Sequence, residues 1–238
     1  ESTEETTEET TEETTPEETT TEEPEWSEQA PKEDTKGLTF SFSEDGQTVS
    51  ITGFDGSRSV VEIPETYGGA KVTSIAAGAF RGQTMITDVV IPEGVTYIGR
   101  EAFAGCSALV RVQIPTSVTQ VGANLFEGTP YDSTLTGELV YINSILYRCQ
   151  SDATVSIRQG TTVIAEEAFI NRVNLAAIVV PDGVSYIGSN AFKNCSALSQ
   201  IEIPKSVRDI VANAFDGTKW YEDRKHEMIY INDLLYRV

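Results

Sequence analysis

Ile91-Pro92-Glu93-Gly94-Val95-Thr96-Tyr97-Ile98-Gly99-Arg100-Glu101-Ala102-Phe103-Ala104-Gly105-Cys106 is the stretch on which the fold turns. Eighty-nine residues later it returns as Val180-Pro181-Asp182-Gly183-Val184-Ser185-Tyr186-Ile187-Gly188-Ser189-Asn190-Ala191-Phe192-Lys193-Asn194-Cys195. Its phenylalanine recurs at 80, 103, 126, 169, 192 and 215, in steps of 23, 23, 43, 23 and 23 residues. A period near 23 with apolar residues locked to it describes coils that bury their faces against their neighbours, a stacked solenoid and not a closed globule.

Around each phenylalanine the frame holds. Coil two runs Ile86, Val89, Ile91, Pro92, Val95, Ile98, Ala102, Phe103, and coil three Leu109, Val112, Ile114, Pro115, Val118, Val121, Leu125, Phe126. Coils five and six repeat it, from Leu175 to Phe192 and from Leu198 to Phe215. Alternation at Val89 and Ile91 is the period of a strand with one buried face, and the proline that follows ends it at the same point of each coil. Parallel stacking of these strands predicts one continuous ladder. Coil one keeps Val61, Ile63, Pro64, Val72, Ile75 and Phe80 around a loop at Tyr67-Gly68-Gly69, while coil four keeps Val155, Ile157 and Phe169 but has Arg158 in the proline's place.

The 89-residue shift also lays Tyr141-Ile142-Asn143-Ser144-Ile145-Leu146-Tyr147-Arg148 on Tyr230-Ile231-Asn232-Asp233-Leu234-Leu235-Tyr236-Arg237. A cassette has been duplicated. The long step is then an ordinary coil plus an inserted β-hairpin turning at Asn143-Ser144. This divides the chain into an acidic linker, 1–36, and a mainly β repeat domain, 37–238. Within the domain lie an opening hairpin at 38–54 around Asp45-Gly46, repeats at 60–129 and 153–218, and inserted hairpins at 138–149 and 227–238.

On these residues the chain resembles the BspA-like, or Treponema pallidum type, leucine-rich repeat proteins. Their Ile-Pro, Val-x-x-Ile-Gly, Ala-Phe and Gly-Cys or Asn-Cys steps stand here as Ile91-Pro92, Val95, Ile98-Gly99, Ala102-Phe103 and Gly105-Cys106, and again from Val180-Pro181 to Asn194-Cys195. The resemblance implies a leucine-rich-repeat solenoid. It also implies a bacterial cell-surface or secreted protein that mediates protein–protein interaction or adhesion to host or neighbouring cells. The competing expectation is a structural spacer or carbohydrate-binding module of a larger surface protein.

Charge is segregated. The chain carries a net −20, of which residues 1–36, with fifteen acids and two lysines, hold −13. With no apolar residue before Trp26 to bury, that tract is expected to be disordered, spanning roughly 35 Å as a flexible coil and at most ~120 Å extended. It reads as a spacer, with loose cation binding or O-glycosylation of its threonines as alternatives. The acidic balance argues against nucleic acid and anionic membranes as partners. No signal peptide or membrane span is seen, so export and anchoring are expected to lie outside the given residues.

Chemistry is sparse. His226 is the single histidine, and neither metal-binding spacings nor a phosphate loop occurs, so no enzyme, metal or cofactor is expected. Cys106 and Cys195 share a phase three coils apart, ~15 Å at strand spacing against a ~7 Å limit for a disulfide, and read as buried fillers. Two places are left for an extracellular protein or glycan ligand. One is the outward face of the ladder, Glu62, Asp88, Val90, Arg111, Gln113, Ala177, Val179, Gln200 and Glu202, read as a solvated face or a shallow binding surface. The other is the aromatic hairpin region, Tyr131, Tyr141 and Tyr147, echoed by Trp220, Tyr221, Tyr230 and Tyr236. Packing against the solenoid is favoured there over a ligand site.

Overall fold

The computed structural model describes residues 35–151, 155–211, 213–224, 229–231 and 234–237. The acidic tract up to residue 34 and His226 lie outside them. The first cassette opens with β1 (Leu38–Phe42) and β2 (Thr48–Phe54), an antiparallel hairpin whose turn passes through Gly46 at φ 68°. There follow β3 (Val60–Glu62), β4 (Thr66–Tyr67), β5 (Ala70–Ile75), β6 (Asp88–Val90), β7 (Tyr97–Ile98), β8 (Arg111–Gln113) and β9 (Gln120–Val121). The second cassette holds β10 (Leu139–Ile142), β11 (Ile145–Cys149), β12 (Val163–Ile164), β13 (Ala177–Val179), β14 (Tyr186–Ile187), β15 (Gln200–Glu202) and β16 (Asp209–Ile210). A last hairpin joins β17 (Ile229–Ile231) to β18 (Leu234–Arg237).

Coils two, three, five and six each give two short strands, where alternation alone pointed to one. The second is the two-residue step before the glycine, Tyr97–Ile98 and its counterparts, and it pairs in parallel with the next coil. These steps build the sheets β1-β2-β5-β7-β9 and β10-β11-β12-β14-β16. The two orders match, so the inserted hairpin is the first rung of a second stack, placed as the opening hairpin is placed in the first. The expected continuous ladder is corrected too. It is split into β3-β6-β8 and β13-β15, because residues 155–157 bury Val155 and Ile157 without forming a strand in coil four.

Six phenylalanines, all fully buried, form two stacks. Phe80, Phe103 and Phe126 lie 5.1 and 5.7 Å apart, and Phe169, Phe192 and Phe215 lie 4.9 and 5.4 Å apart. Amides of Phe80, Phe103, Phe169 and Phe192 donate to carbonyls one coil on at 2.7 to 3.0 Å, so the backbone stays satisfied through the turns. Two residues before each ring the chain takes a left-handed conformation, at Gly78, Glu101, Asn124, Glu167, Asn190 and Asn213. Glycine and asparagine tolerate it; glutamate rarely does.

Between the stacks stands β11. Ile145 and Tyr147 pack into the first core, while Leu146 and Cys149 pack into the second. One strand is therefore the common wall of two cores. The buried thiols of Cys106 and Cys195 donate to the carbonyls of Phe80 and Phe169, each at 3.0 Å. The cysteine phase is thus an inward packing position that also caps a carbonyl of the preceding coil.

Candidate binding site

The predicted outward face lies on the two short ladders. Glu62, Arg111, Gln113, Val179, Gln200 and Glu202 are exposed, and Val90 and Ala177 are half-buried. Asp88 is a correction: it is 5% exposed. Arg111, one coil on, lies over it and donates from Nε to its Oδ1. Burial pulls the Asp88 carboxyl upward, but hydrogen bonds from Arg111 and Thr87 and the charge of Arg111 outweigh it, leaving it below the usual carboxylate range. A depressed folded pKa stabilises fully above the unfolded value near ~3.9, and that contribution fades as pH falls through the folded value. Asp88→Asn should therefore cost about 1 kcal/mol at neutral pH, because its partner is largely exposed. Urea midpoints of native and variant should converge in acid; a gap that stays constant with pH would remove the ion pair as its cause.

On the second ladder the face is less regular. Ala177 and Val179 border a cleft of about 320 Å³ whose far wall is Val155, Ser156 and Ile157. A neighbouring cleft of about 370 Å³ runs from Val179 past Asp182 to Glu202. Val179, 59% exposed, stands where the two meet.

The aromatic residues divide by role. Tyr131 closes the first phenylalanine stack edge-on at 4.8 Å from Phe126, and Trp220, its counterpart, lies 5.2 Å from Phe215. Each follows a buried threonine, Thr129 or Thr218, whose hydroxyl donates to the phenylalanine carbonyl and accepts an amide. Tyr147 is a core residue, 2% exposed, with burial pushing its phenol up to about 12. Its counterpart Tyr236 accepts the Phe215 amide at 3.2 Å, the bond another coil would otherwise supply.

Tyr141 explains the missing proline. The backbone N–H of Arg158 donates to the Tyr141 hydroxyl at 2.9 Å, its guanidinium lies 4.1 Å from the ring centroid, and its Nη2 donates to the Asn143 carbonyl at 2.7 Å. Proline has no N–H to give. Restoring the repeat with Arg158→Pro should cost about 1–3 kcal/mol, and Arg158→Ala, which keeps the amide, distinctly less. Equal losses in denaturant titrations would mean that the amide bond contributes nothing.

Sequence reasoning missed the seam between cassettes. Arg100 grips Glu167 with both terminal nitrogens at 2.7 and 3.1 Å and Glu166 at 2.8 Å, while the Ala123 amide donates to Glu166 at 3.3 Å. Half-exposed pairs of this kind contribute roughly 0.2–1 kcal/mol each and serve more to orient than to stabilise. The signal was available as a break in the duplication. The 89-residue shift sets Arg100 against Ser189, and Glu166-Glu167 against Ala77-Gly78.

Among the described residues no group of three His, Cys, Asp or Glu is placed to hold a metal ion, and no helix is long and apolar enough to cross a membrane. The chain is similar in structure to the leucine-rich repeat protein of T. pallidum, at 24% identity over 76% of this chain and 64% of that one, with a TM-score of 0.40. It is likewise similar to a leucine-rich repeat protein from Bacteroides ovatus, at 23% identity over 77% of this chain and 56% of that one, with a TM-score of 0.33. A leucine-rich cell surface protein from Faecalibacterium prausnitzii matches at 20% identity over 78% of this chain and 86% of that one, with a TM-score of 0.33. The chain thus spans 64% and 56% of the lengths of the first two. No curated protein matches it. The model of the BspA type leucine rich repeat region matches in six copies, over residues 73–184 and 162–223. With its coils, phenylalanine stacks and motif steps in that register, the chain belongs to the BspA-type leucine-rich repeat family.

Proposed function

We propose that this chain is a bacterial cell-surface or secreted protein that mediates protein–protein interaction, as an adhesin-like module attaching to host or neighbouring cells. The observation that carries the reading is the second short ladder, where two clefts meet at an exposed valine. Exposed apolar side chains rimmed by polar ones, here Gln159, Gln200 and Glu202, mark interaction surfaces more often than catalytic ones. Val60, 42% exposed at the edge of the first ladder, extends the same chemistry. The acidic tract would hold the array away from its anchor.

The test is a binding screen of the full chain against extracellular matrix proteins and a glycan array at physiological salt. A saturable protein ligand whose affinity falls with Val179→Glu, at unchanged melting temperature, supports the proposal. Clean silence points to the spacer, and hits on glycans alone point to a carbohydrate-binding module.

A further inference from the structure

The seam forms a second recess, on the side of the two larger sheets, of six and five strands, and apart from the short ladders. Tyr97 on β7 and Tyr186 on β14 hold the same phase of the two cassettes, yet both line one cleft of about 180 Å³. Gln120 and Gly122 from coil three, Glu166 from coil four and Ser189 from coil five complete its walls. The Arg100 contacts bring these coils together, since they run from coil two directly to coil four.

Glu166 is held by Arg100 and the Ala123 amide, but three other polar side chains in this recess are unspent. Tyr97 is 39% exposed. Neither phenol hydroxyl, nor the Gln120 side-chain amide, makes a hydrogen bond with another described residue. Burial raises the pKa of both phenols and Glu166 adds to it at each, with Asp209 and Tyr97 also contributing at Tyr186, so carboxylate charge reaches into the space between the rings. Glu166 is the one charged residue among those lining the cleft. Arg81 answers Glu101, but Arg100 is shared by Glu166 and Glu167. Two of these carboxylates, Glu101 and Glu167, stand on left-handed backbone, where asparagine or glycine serves at the other copies of the position.

We infer that the seam cleft receives a basic side chain, an arginine or a lysine, presented by a partner protein, with its stem against Tyr97 and Tyr186 and its charged head toward Glu166 and Gln120. Cations are attracted to tyrosine faces, most strongly where water is partly excluded. The chain already uses that pairing internally, in Arg158 over Tyr141 at 4.1 Å. The volume suits one side chain, not a helix. An anion would meet the Glu166 carboxylate, and a neutral sugar would gain nothing from it. A net charge of −20 favours the encounter with a basic partner at longer range.

The inference rests on the protein-binding reading but uses a different sheet, so the two fail separately. The probe is the capped peptide acetyl-Gly-Arg-Gly-amide, titrated into the full chain and followed by the NMR amide signals of Gly122, Gly188 and Ser189. Acetyl-Gly-citrulline-Gly-amide and methyl glucoside serve as neutral comparisons. The arginine peptide should shift those signals saturably and the citrulline peptide should not, while Tyr97→Ser should weaken binding about tenfold. The acidic tract attracts any cation equally in native and variant chains, so it does not produce that difference. Tyr186→Ser removes the other ring, should weaken binding likewise, and covers the case in which the Tyr97 variant fails to fold. No saturable shift, equal binding by Tyr97→Ser, or a response to methyl glucoside instead of the peptide would each overturn the inference. A Val179-dependent partner found alongside such a failure would leave the adhesin reading intact.

Discussion

Phe103→Ala should destabilise the first cassette by ~3 to 5 kcal/mol, the range for truncating a fully buried aromatic. Phe103 is fully buried, between Phe80 at 5.1 Å and Phe126 at 5.7 Å, and each stacked pair adds about 0.5–1.5 kcal/mol beyond area burial. In a linear array the damage spreads through nearest-neighbour interfaces. Amide hydrogen exchange should therefore lose protection in coils one to three. The Phe169–Phe192–Phe215 stack belongs to the other core and should keep more of its protection. A variant that melts like the native chain would mean that the spine is not where the stability resides.

Gly122→Ala should be nearly as severe, for the opposite reason. A Cβ on Gly122 would stand 2.2 Å from the Arg100 backbone nitrogen and 2.5 Å from its Cα. Backbone cannot rotate away as a side chain can, so coils two and three must part. Ordinary overpacking costs about 1–3 kcal/mol, and a clash with two rigid coils belongs at or above the top of that range. Gly99 and Gly188 meet the preceding coil at 2.4 and 2.6 Å. Ala76, Ala165 and Val211 carry a Cβ at the same phase, so the close approach is particular to the rungs at Gly99, Gly122 and Gly188. A Gly122→Ala chain with a native thermal midpoint would contradict the inter-coil spacing.

The parts of this fold that repeat were the parts open to reading. Phenylalanine and the Val-x-x-Ile step recur in register, and the rings and most of those steps are buried, while Pro92, Pro115 and Pro204, which end the strands, are half-buried. What escaped was set between coils. Asp88 alternates outward on its own strand, yet becomes buried because the residue 23 positions on is an arginine long enough to cover it. Tyr97–Ile98 is too short for period-two alternation to register, although pairing with neighbours makes it a rung of the larger sheet. The hairpin at Tyr141 was legible as a hairpin, but only the strand order shows that it begins a stack. The seam arginine was hidden for a related reason: a search for repeats discounts the residues that break them.

The shared wall at β11 bears on how such a gene could change length. Each cassette begins with its own hairpin and ends on its own aromatic plug, Tyr131 or Trp220, so the natural unit of gain or loss is a whole block of 89 residues and not a single coil. Unequal recombination between such related blocks would then yield arrays differing by whole blocks, each with both ends of its core already covered. Deletion of one 23-residue coil would remove that coil's charges along with its rung. It would also set Arg100 or Glu166 one rung out of reach, and the recess at the seam would be lost before the fold was.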